Sequence, residues 1–355
     1  MTALRGVSLD LVGVAERVGL ALSTVGLTLP PVPQPFYEAY LAAIGARALI
    51  AATRVGLIAA LAERPASPAE LAGRLGLDEE SVELVLCALL NLGYTRRRRD
   101  GRFALTGVAR RWLAPGTWDA VIGELAYENW EVISHLDGRL QGQPPAGWHE
   151  RPADDPLWDR YQHAMEQLAR QTAGPLARAI PAHSPRRLLD LGGSHGLHAV
   201  AMCRRHQDLQ ATVLDLVPAV RFGREVVVRE GMADRVKHVE GDIFTAELGE
   251  GWDVITAHAL LHNYSAERCV ALLRRAHEAL APDGTLAILE IERSAEGHRG
   301  TRAGALSSLL FHTFGEGRCY RPQELRDMLE TAGFSRVRVR HPRRLPANVL
   351  VFATR

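Results

Sequence analysis

Three aspartates, each closing a strand-like run, carry the first chemistry this chain offers. Asp190 stands at the end of Leu188-Leu189-Asp190-Leu191, a run followed at once by Gly192-Gly193-Ser194-His195-Gly196. A strand, a tight glycine turn and a helix in succession form the unit at which open α/β sheets bind nucleotides. The dinucleotide fingerprint Gly-x-Gly-x-x-Gly is not met. Counted from Gly192, its later glycine positions hold Ser194 and Leu197; counted from Gly193, they hold His195 and His198. What stands here is Asp-x-Gly-x-x-x-Gly. A carboxylate at the strand end repels a pyrophosphate but suits ammonium and hydroxyl groups. Asp215, about 25 residues on in Val213-Leu214-Asp215-Leu216, has the place of the acid that takes ribose hydroxyls in dinucleotide folds. Asp242, in Gly241-Asp242-Ile243-Phe244, is placed to accept from an adenine amino group while Ile243 or Phe244 covers the ring. A lone Asp after a strand is more often a turn or a cap. Three in register with a glycine turn point to S-adenosylmethionine (SAM), which becomes S-adenosylhomocysteine (SAH) once its methyl group is transferred.

A base stands nearby. His258 and His262 leave the run Trp252–His258 and its continuation Ala259-Leu260-Leu261-His262-Asn263-Tyr264, and both are expected to face the ligand crevice. Methyl transfer from a sulfonium is an in-line displacement, and a phenolic acceptor (pKa about 10) is mostly protonated at neutral pH. Histidine titrates near that pH and is the natural base. Glu290, ending the next strand, is placed to fix its tautomer. Read by itself, His262 serves equally as a packing or helix-start residue. The four cysteines, Cys87, Cys203, Cys269 and Cys319, lack metal-ligand spacing and read as inert thiols in a reducing compartment, so no metal is expected.

Positioning these groups requires a mainly parallel sheet covered on both faces. Strands are expected at Leu188–Leu191, Ala211–Leu216, Lys237–Glu240, Val254–His258 and Thr285–Ile291, with helices starting near Gly196, Val217, Ser265 and Pro322. Two late runs, Val337–Arg340 and Asn348–Ala353, are joined too closely for a crossover, so one must run antiparallel to the other. That is a Rossmann-like α/β domain closed by a reversed hairpin. Ahead of it, one helix over 36–63, a capping box at Ser67-Pro68-Ala69-Glu70, a helix capped by Asp78, and a hairpin around Asp100-Gly101 spell a mostly helical winged-helix unit. The expected divisions are 1–115 for this unit, 116–182 for a helical connector and 183–355 for the catalytic domain. The 355 residues are 47% hydrophobic and 23% charged with net charge +1, which predicts no general attraction to nucleic acid or membrane. Residues 1–30 lack a signal-peptide layout, and the apolar run 41–61 carries Arg47 and Arg54 on one helix face, so a cytoplasmic protein is expected.

The whole pattern resembles the SAM-dependent O-methyltransferases of the plant caffeate and flavonoid type and their bacterial natural-product-tailoring relatives. The likeness runs from the winged-helix unit through Asp190–Gly196, Asp215, Gly241–Phe244 and Leu261-His262-Asn263-Tyr264 to Ala332-Gly333-Phe334. It implies that His262 is the base, that Glu290 orients it, and that His258 stands where a cofactor-contacting lysine is usual. It also implies a homodimer whose N-terminal domains help close the acceptor pocket. Ser194 replaces a glycine, Asn263 an aspartate and Tyr264 a tryptophan, all mild departures. A second orienting glutamate would fall near Gly317, where only Glu316 is close.

The expected activity is methyl transfer to a hydroxyl, of phenolic type, on a small acceptor. Tyr127, Trp130, Trp158, Tyr161, Met165, Asn263 and Phe311 are the expected lining; plain core packing is the competing account of most of them. Carbon or nitrogen methylation on the same scaffold, and a SAM-binding relative turned to another reaction, are the alternatives. A DNA-binding role for the winged helix is disfavoured: its candidate recognition helix carries Asp78, Glu79, Glu80 and Glu83 and no Lys or Arg, although Arg96–Arg99 lie in the wing.

Overall fold

The structure, a computed structural model, describes residues 35–293, 301–342 and 347–355. The stretch 1–30 and most of the turn joining the last two strands lie outside the described residues.

The N-terminal unit is built from α1 (Pro35–Arg54), α2 (Leu57–Glu63), α3 (Pro68–Leu75) and α4 (Glu79–Asn91), then the hairpin β1 (Thr95–Arg97) and β2 (Phe103–Leu105), and α5 (Gly107–Trp112). The single helix expected over 36–63 is two, bent by 64°. Gly56, at φ +84°, makes the break at the start of α2. No single described helix is long and apolar enough to cross a membrane, though this bent pair passes by length and composition alone. The capping box forms as read: Ser67 Oγ accepts from Glu70 N–H at 3.1 Å and Glu70 returns a carboxylate to Ser67 N–H at 2.8 Å. Asp78 caps α4 by accepting from Ser81 N–H. Leu61, Leu71, Leu86, Leu89 and Phe103 fill the core of the unit. In the wing, Arg97 and Arg98 face Glu83 and Asp100, so part of its basic run is balanced locally.

The connector comprises α6 (Trp118–Ile133), α7 (Leu136–Leu140), a 3₁₀ turn at Trp148–Glu150 and α8 (Leu157–Ala179). The catalytic half alternates β3 (Arg187–Leu191), α9 (Leu197–Arg205), β4 (Gln210–Asp215), α10 (Val217–Arg229), β5 (Val236–Glu240), β6 (Trp252–His258), α11 (Ala266–Ala279) and β7 (Leu280–Ile291). It ends with α12 (Arg302–Phe314), α13 (Pro322–Thr331), β8 (Ser335–Arg340) and β9 (Asn348–Thr354).

The seven strands lie in the order β5-β4-β3-β6-β7-β9-β8. The first five are parallel, and β9 runs antiparallel to both β7 and β8, the reversed hairpin that the short connection required. One face buries Leu191, Ile255, Ala257 and Leu286 against α11 and α13; the other buries Leu188, Val213 and Val254 against α8 and α9. The strand order reverses between β3 and β6, so a crevice opens at their carboxyl ends, where open α/β sheets hold ligands.

Candidate active site

Asp190 is the penultimate residue of β3 and has no exposure. Its Oδ1 accepts from Thr256 Oγ1 of β6 at 2.6 Å, while Oδ2 is buried without a partner among the described residues. Burial pushes the carboxyl up to about 7; the Thr256 bond opposes this and Asp215 adds to it. Gly193 must be glycine, because a Cβ there would overlap the Asp190 carboxylate and stand 2.9 Å from Val213 Cγ1. An acid oxygen left without a donor, beside a turn that keeps its approach clear, fits an incoming ammonium.

Asp215 ends β4, half-buried. Oδ2 accepts from Ser194 N–H at 2.8 Å and Oδ1 from Leu216 N–H at 2.7 Å. Each oxygen keeps a lone pair for a hydroxyl. Burial pushes this carboxyl up to about 6 against those two bonds. Leu216 stays 38% exposed on the lip of the crevice. Asp242 is exposed and accepts from Phe244 N–H at 2.8 Å. Of the two residues offered for the adenine face, Ile243 is core and Phe244 is half-buried. Phe244 stands edge-to-face on Tyr264 with the Arg268 guanidinium 4.2 Å above its ring. Gly241 packs tightly, a Cβ there lying 2.9 Å from Ala246 Cβ. Gly196 opens α9 in the left-handed region at φ +73°.

The two histidines of the fourth run part company. His258 is 8% exposed with both ring nitrogens buried and unpartnered among the described residues, and it stands edge-to-face on His198 of α9 at 4.7 Å. Burial, then the neighbouring His198, holds it well below the ordinary imidazole range, so it is neutral and offers one donor and one acceptor. Ala259 then turns through φ +51°. His262, in the 3₁₀ turn Leu261–Asn263, comes out against α12 instead.

There Glu290, 1% exposed, binds three donors. Oε1 accepts from the N–H groups of Leu260 and Leu261 at 2.8 and 2.6 Å, and Oε2 faces His262 Nδ1 at 2.6 Å. A carboxylate can only accept, so Nδ1 carries the proton and Nε2 is left with a lone pair. The imidazole stacks on Phe311 at 3.8 Å and 14°, which fixes its plane. Among the described residues no second acid reaches it: a Cβ at Gly317 would overlap the His262 carbonyl, and Glu316 turns outward to Arg268 at 3.5 Å. Asn263 closes the turn, its amide donating to Leu260 O at 3.1 Å.

Phe311 and Tyr161 pack on one small cluster with Val132 and Phe314. Trp158, 4% exposed, stands edge-to-face on Tyr161 at 6.3 Å. Burial, with a contribution from Asp215, pushes the Tyr161 phenol up to about 12. Met165 is half-buried one turn further along α8. Two connector residues do not join this group. Tyr127 lies under Arg54 at 3.6 Å and Arg47 at 4.9 Å, and Trp130 is 37% exposed with Arg47 at 5.7 Å. They face α1 because Arg47 and Arg54 share one side of that helix, as their spacing of seven requires. Tyr127 instead lines a cavity of about 750 Å³ between α1 and α8, whose lining also includes Tyr161.

Several residues near the site escaped sequence reasoning. His149, 6.3 Å from both Trp158 and Tyr161, is pushed down to about 4 by burial and by its nearness to His262. It sits in the single 3₁₀ turn Trp148–Glu150, too short to show a periodicity in the sequence. Thr256, Gln162 and His238 read as ordinary strand and helix positions, yet each bonds to the Asp190–Gly196 segment.

Residues 38–115 match the family model of the O-methyltransferase dimerisation domain, and 141–335 that of the O-methyltransferase domain. A 3-hydroxy-5-methyl-1-naphthoate 3-O-methyltransferase of Streptomyces sahachiroi is 29% identical over 302 residues, 82% of this chain and 86% of that one. An L-tyrosine C(3)-methyltransferase of Streptomyces lavendulae is 25% identical over 308 residues, 81% of this chain and 82% of that one. The crystal structure of human N-acetylserotonin methyltransferase in complex with SAM aligns with a TM-score of 0.77 at 19% identity, covering 92% of this chain and 99% of that one.

Proposed function

The chain belongs to the O-methyltransferase family, and we propose that it methylates a phenolic hydroxyl of a natural-product-like acceptor with His262 as general base. That it is a SAM-dependent methyltransferase of small molecules follows from the family. SAM, when bound, supplies an electrophilic methyl group on a sulfonium. Asp190 Oδ2 and the neutral His258 would hold the aminoacyl end, Asp215 the ribose, and Asp242 with Phe244 and Leu216 the adenine; Gly192, Gly193, Ser194, Gly196, Gly241 and Ile243 shape the backbone around them.

The observation that carries the reading is the His262–Glu290 pair, with Nδ1 held at 2.6 Å and the ring clamped on Phe311. Nε2 takes the proton of the acceptor hydroxyl as the oxygen attacks, and Glu290 stabilises the imidazolium that forms. Trp158, Tyr161 and Met165 bound the acceptor on the connector side and Asn263 on the catalytic side, with Tyr127 and Trp130 further out. Carbon methylation is a second reading, supported by the relative that acts at C(3) of L-tyrosine. An aromatic carbon beside a phenolate needs the same base. The chain is further read as a homodimer joined through 1–115, with 116–182 as connector and 183–355 as catalytic domain. An exposed apolar face on α1, made by Phe36, Tyr37, Tyr40, Leu41 and Ile44, supports that.

Incubation with SAM and matched phenols and aryl ethers tests the reaction. His262→Ala is expected to lower turnover about a hundredfold or more while SAH affinity is nearly unchanged. Retained turnover in that variant would mean that proximity alone suffices.

A further inference from the structure

The loop between β3 and α9 turns at Ser194 with φ +50°. Glycine adopts that conformation without strain and serine does not. The serine at this position brings a hydroxyl that glycine lacks, and all of its polar groups are engaged. Its N–H donates to Asp215 Oδ2 at 2.8 Å, its hydroxyl donates to Gln162 Oε1, and its carbonyl accepts from His238 Nε2 at 2.8 Å.

The two outer partners come from elements that frame the crevice. Gln162, 2% exposed, sits on α8 next to Tyr161 and one turn from Trp158. His238, 8% exposed, reaches under the loop from β5. Two glycines make room for it. A Cβ at Gly223 would overlap the His238 ring and press on the Ser194 carbonyl, and one at Gly196 would stand 2.9 Å from His238 Cε1. Burial lowers the imidazole's pKa, which keeps it a neutral donor.

We propose that Gln162 and His238 are positioning residues that set the cofactor loop through Ser194, and that Gln162 thereby ties the geometry of that loop to α8, the helix carrying the acceptor-side aromatics. The proposal rests on the SAM reading above. Loop and acceptor wall then move as one body, and cofactor affinity depends on a side chain that reaches the loop through the serine hydroxyl.

Titration calorimetry with SAH tests this on the wild type, Ser194→Ala, Gln162→Leu and the double variant. Each single change is expected to weaken binding about tenfold, and the double variant no more than either single change. Ser194→Gly, which relieves the strain while losing the hydroxyl, is expected to bind better than Ser194→Ala. His238→Leu is expected to weaken binding and His238→Gln, which keeps a donor in reach, to restore it to within about threefold of wild type. A double variant weakened by the product of the single losses, about a hundredfold, would overturn the Gln162 coupling. Unchanged affinity in Gln162→Leu would do the same, and equal losses in both His238 variants would overturn its role. A wild type that fails to bind SAH would instead refute the SAM reading, leaving the two failures distinct.

Discussion

Replacing Glu290 by Gln separates what the carboxylate does for the fold from what it does for His262. Oε1 holds the N–H groups of Leu260 and Leu261 at 2.8 and 2.6 Å, and a glutamine carbonyl keeps both bonds. The other arm becomes an NH₂ donor facing His262 Nδ1 across 2.6 Å. Nδ1 must then accept, so the ring proton moves to Nε2. The atom that should take the acceptor's proton already carries one. The loss to stability is modest, about 1–2 kcal/mol, because all three hydrogen bonds persist with a neutral amide in place of the carboxylate and the cost of burying a charge is relieved. The loss to chemistry is large, at least about a hundredfold in turnover, within the range a general base contributes. Single-turnover formation of SAH from saturating SAM and a phenol measures the chemical step, and SAH calorimetry on the same samples checks that the cofactor site is intact. Glu290→Ala is the contrasting variant. It leaves two backbone N–H groups and the imidazole without a partner at a position 1% exposed, costing about 3 kcal/mol or more. Its melting temperature should drop clearly further than that of Glu290→Gln. Turnover in Glu290→Gln within about threefold of wild type would refute the tautomer reasoning, since the base would then work without its orienting acid.

Asp190 gives a stability prediction with a definite sign. Its carboxyl is pushed up to about 7 by burial, against about 3.9 in an unfolded chain. Between those values the native state binds more protons, so stability falls as pH rises through the window and the penalty is complete above it. Asp190→Asn keeps an oxygen for Thr256 and should melt above wild type at about pH 8 without ligand, the gap closing toward about pH 4, while SAH affinity drops. A wild type more stable than the variant at the alkaline end would contradict this. Ile44 is 49% exposed on the apolar face of α1. Ile44→Glu is expected to turn a dimer into monomers by light scattering; an unchanged mass would place the interface elsewhere.

The centre of the sheet was legible because β3, β4 and β6 are short, largely buried runs with a chemically distinctive residue, Asp190, Asp215 or His258, at or next to the end. The glycine turn announced itself because the positions at 192, 193 and 196 admit almost nothing else. Glu290 could be assigned to His262 from strand order alone, since β6 and β7 are neighbours. Less was legible where side chains choose between two partners. His258 and His262 share parity along one run, but the positive φ of Ala259 sends them to different walls. The bend at Gly56 hides within an Ala/Leu-rich stretch whose composition suits one long helix. α12 is hard to read from the sequence because Gly304, Ser307 and Ser308 blur its periodicity, although Phe311 on it is among the expected lining residues. Gly317 shows the reverse: the sequence reported a missing acid, and the structure supplies the reason, a backbone approach that leaves no space for any side chain.

The central claim is that the carboxyl edge of the sheet is built for an adenosyl ligand bearing ammonium and hydroxyl groups. Titration calorimetry of the wild type and Asp215→Asn with SAH tests it most directly. Saturable binding of one SAH per chain, weakened about tenfold or more by the single oxygen-to-amide change, is the predicted result. No heat with the wild type, or the same affinity in both proteins, would contradict it.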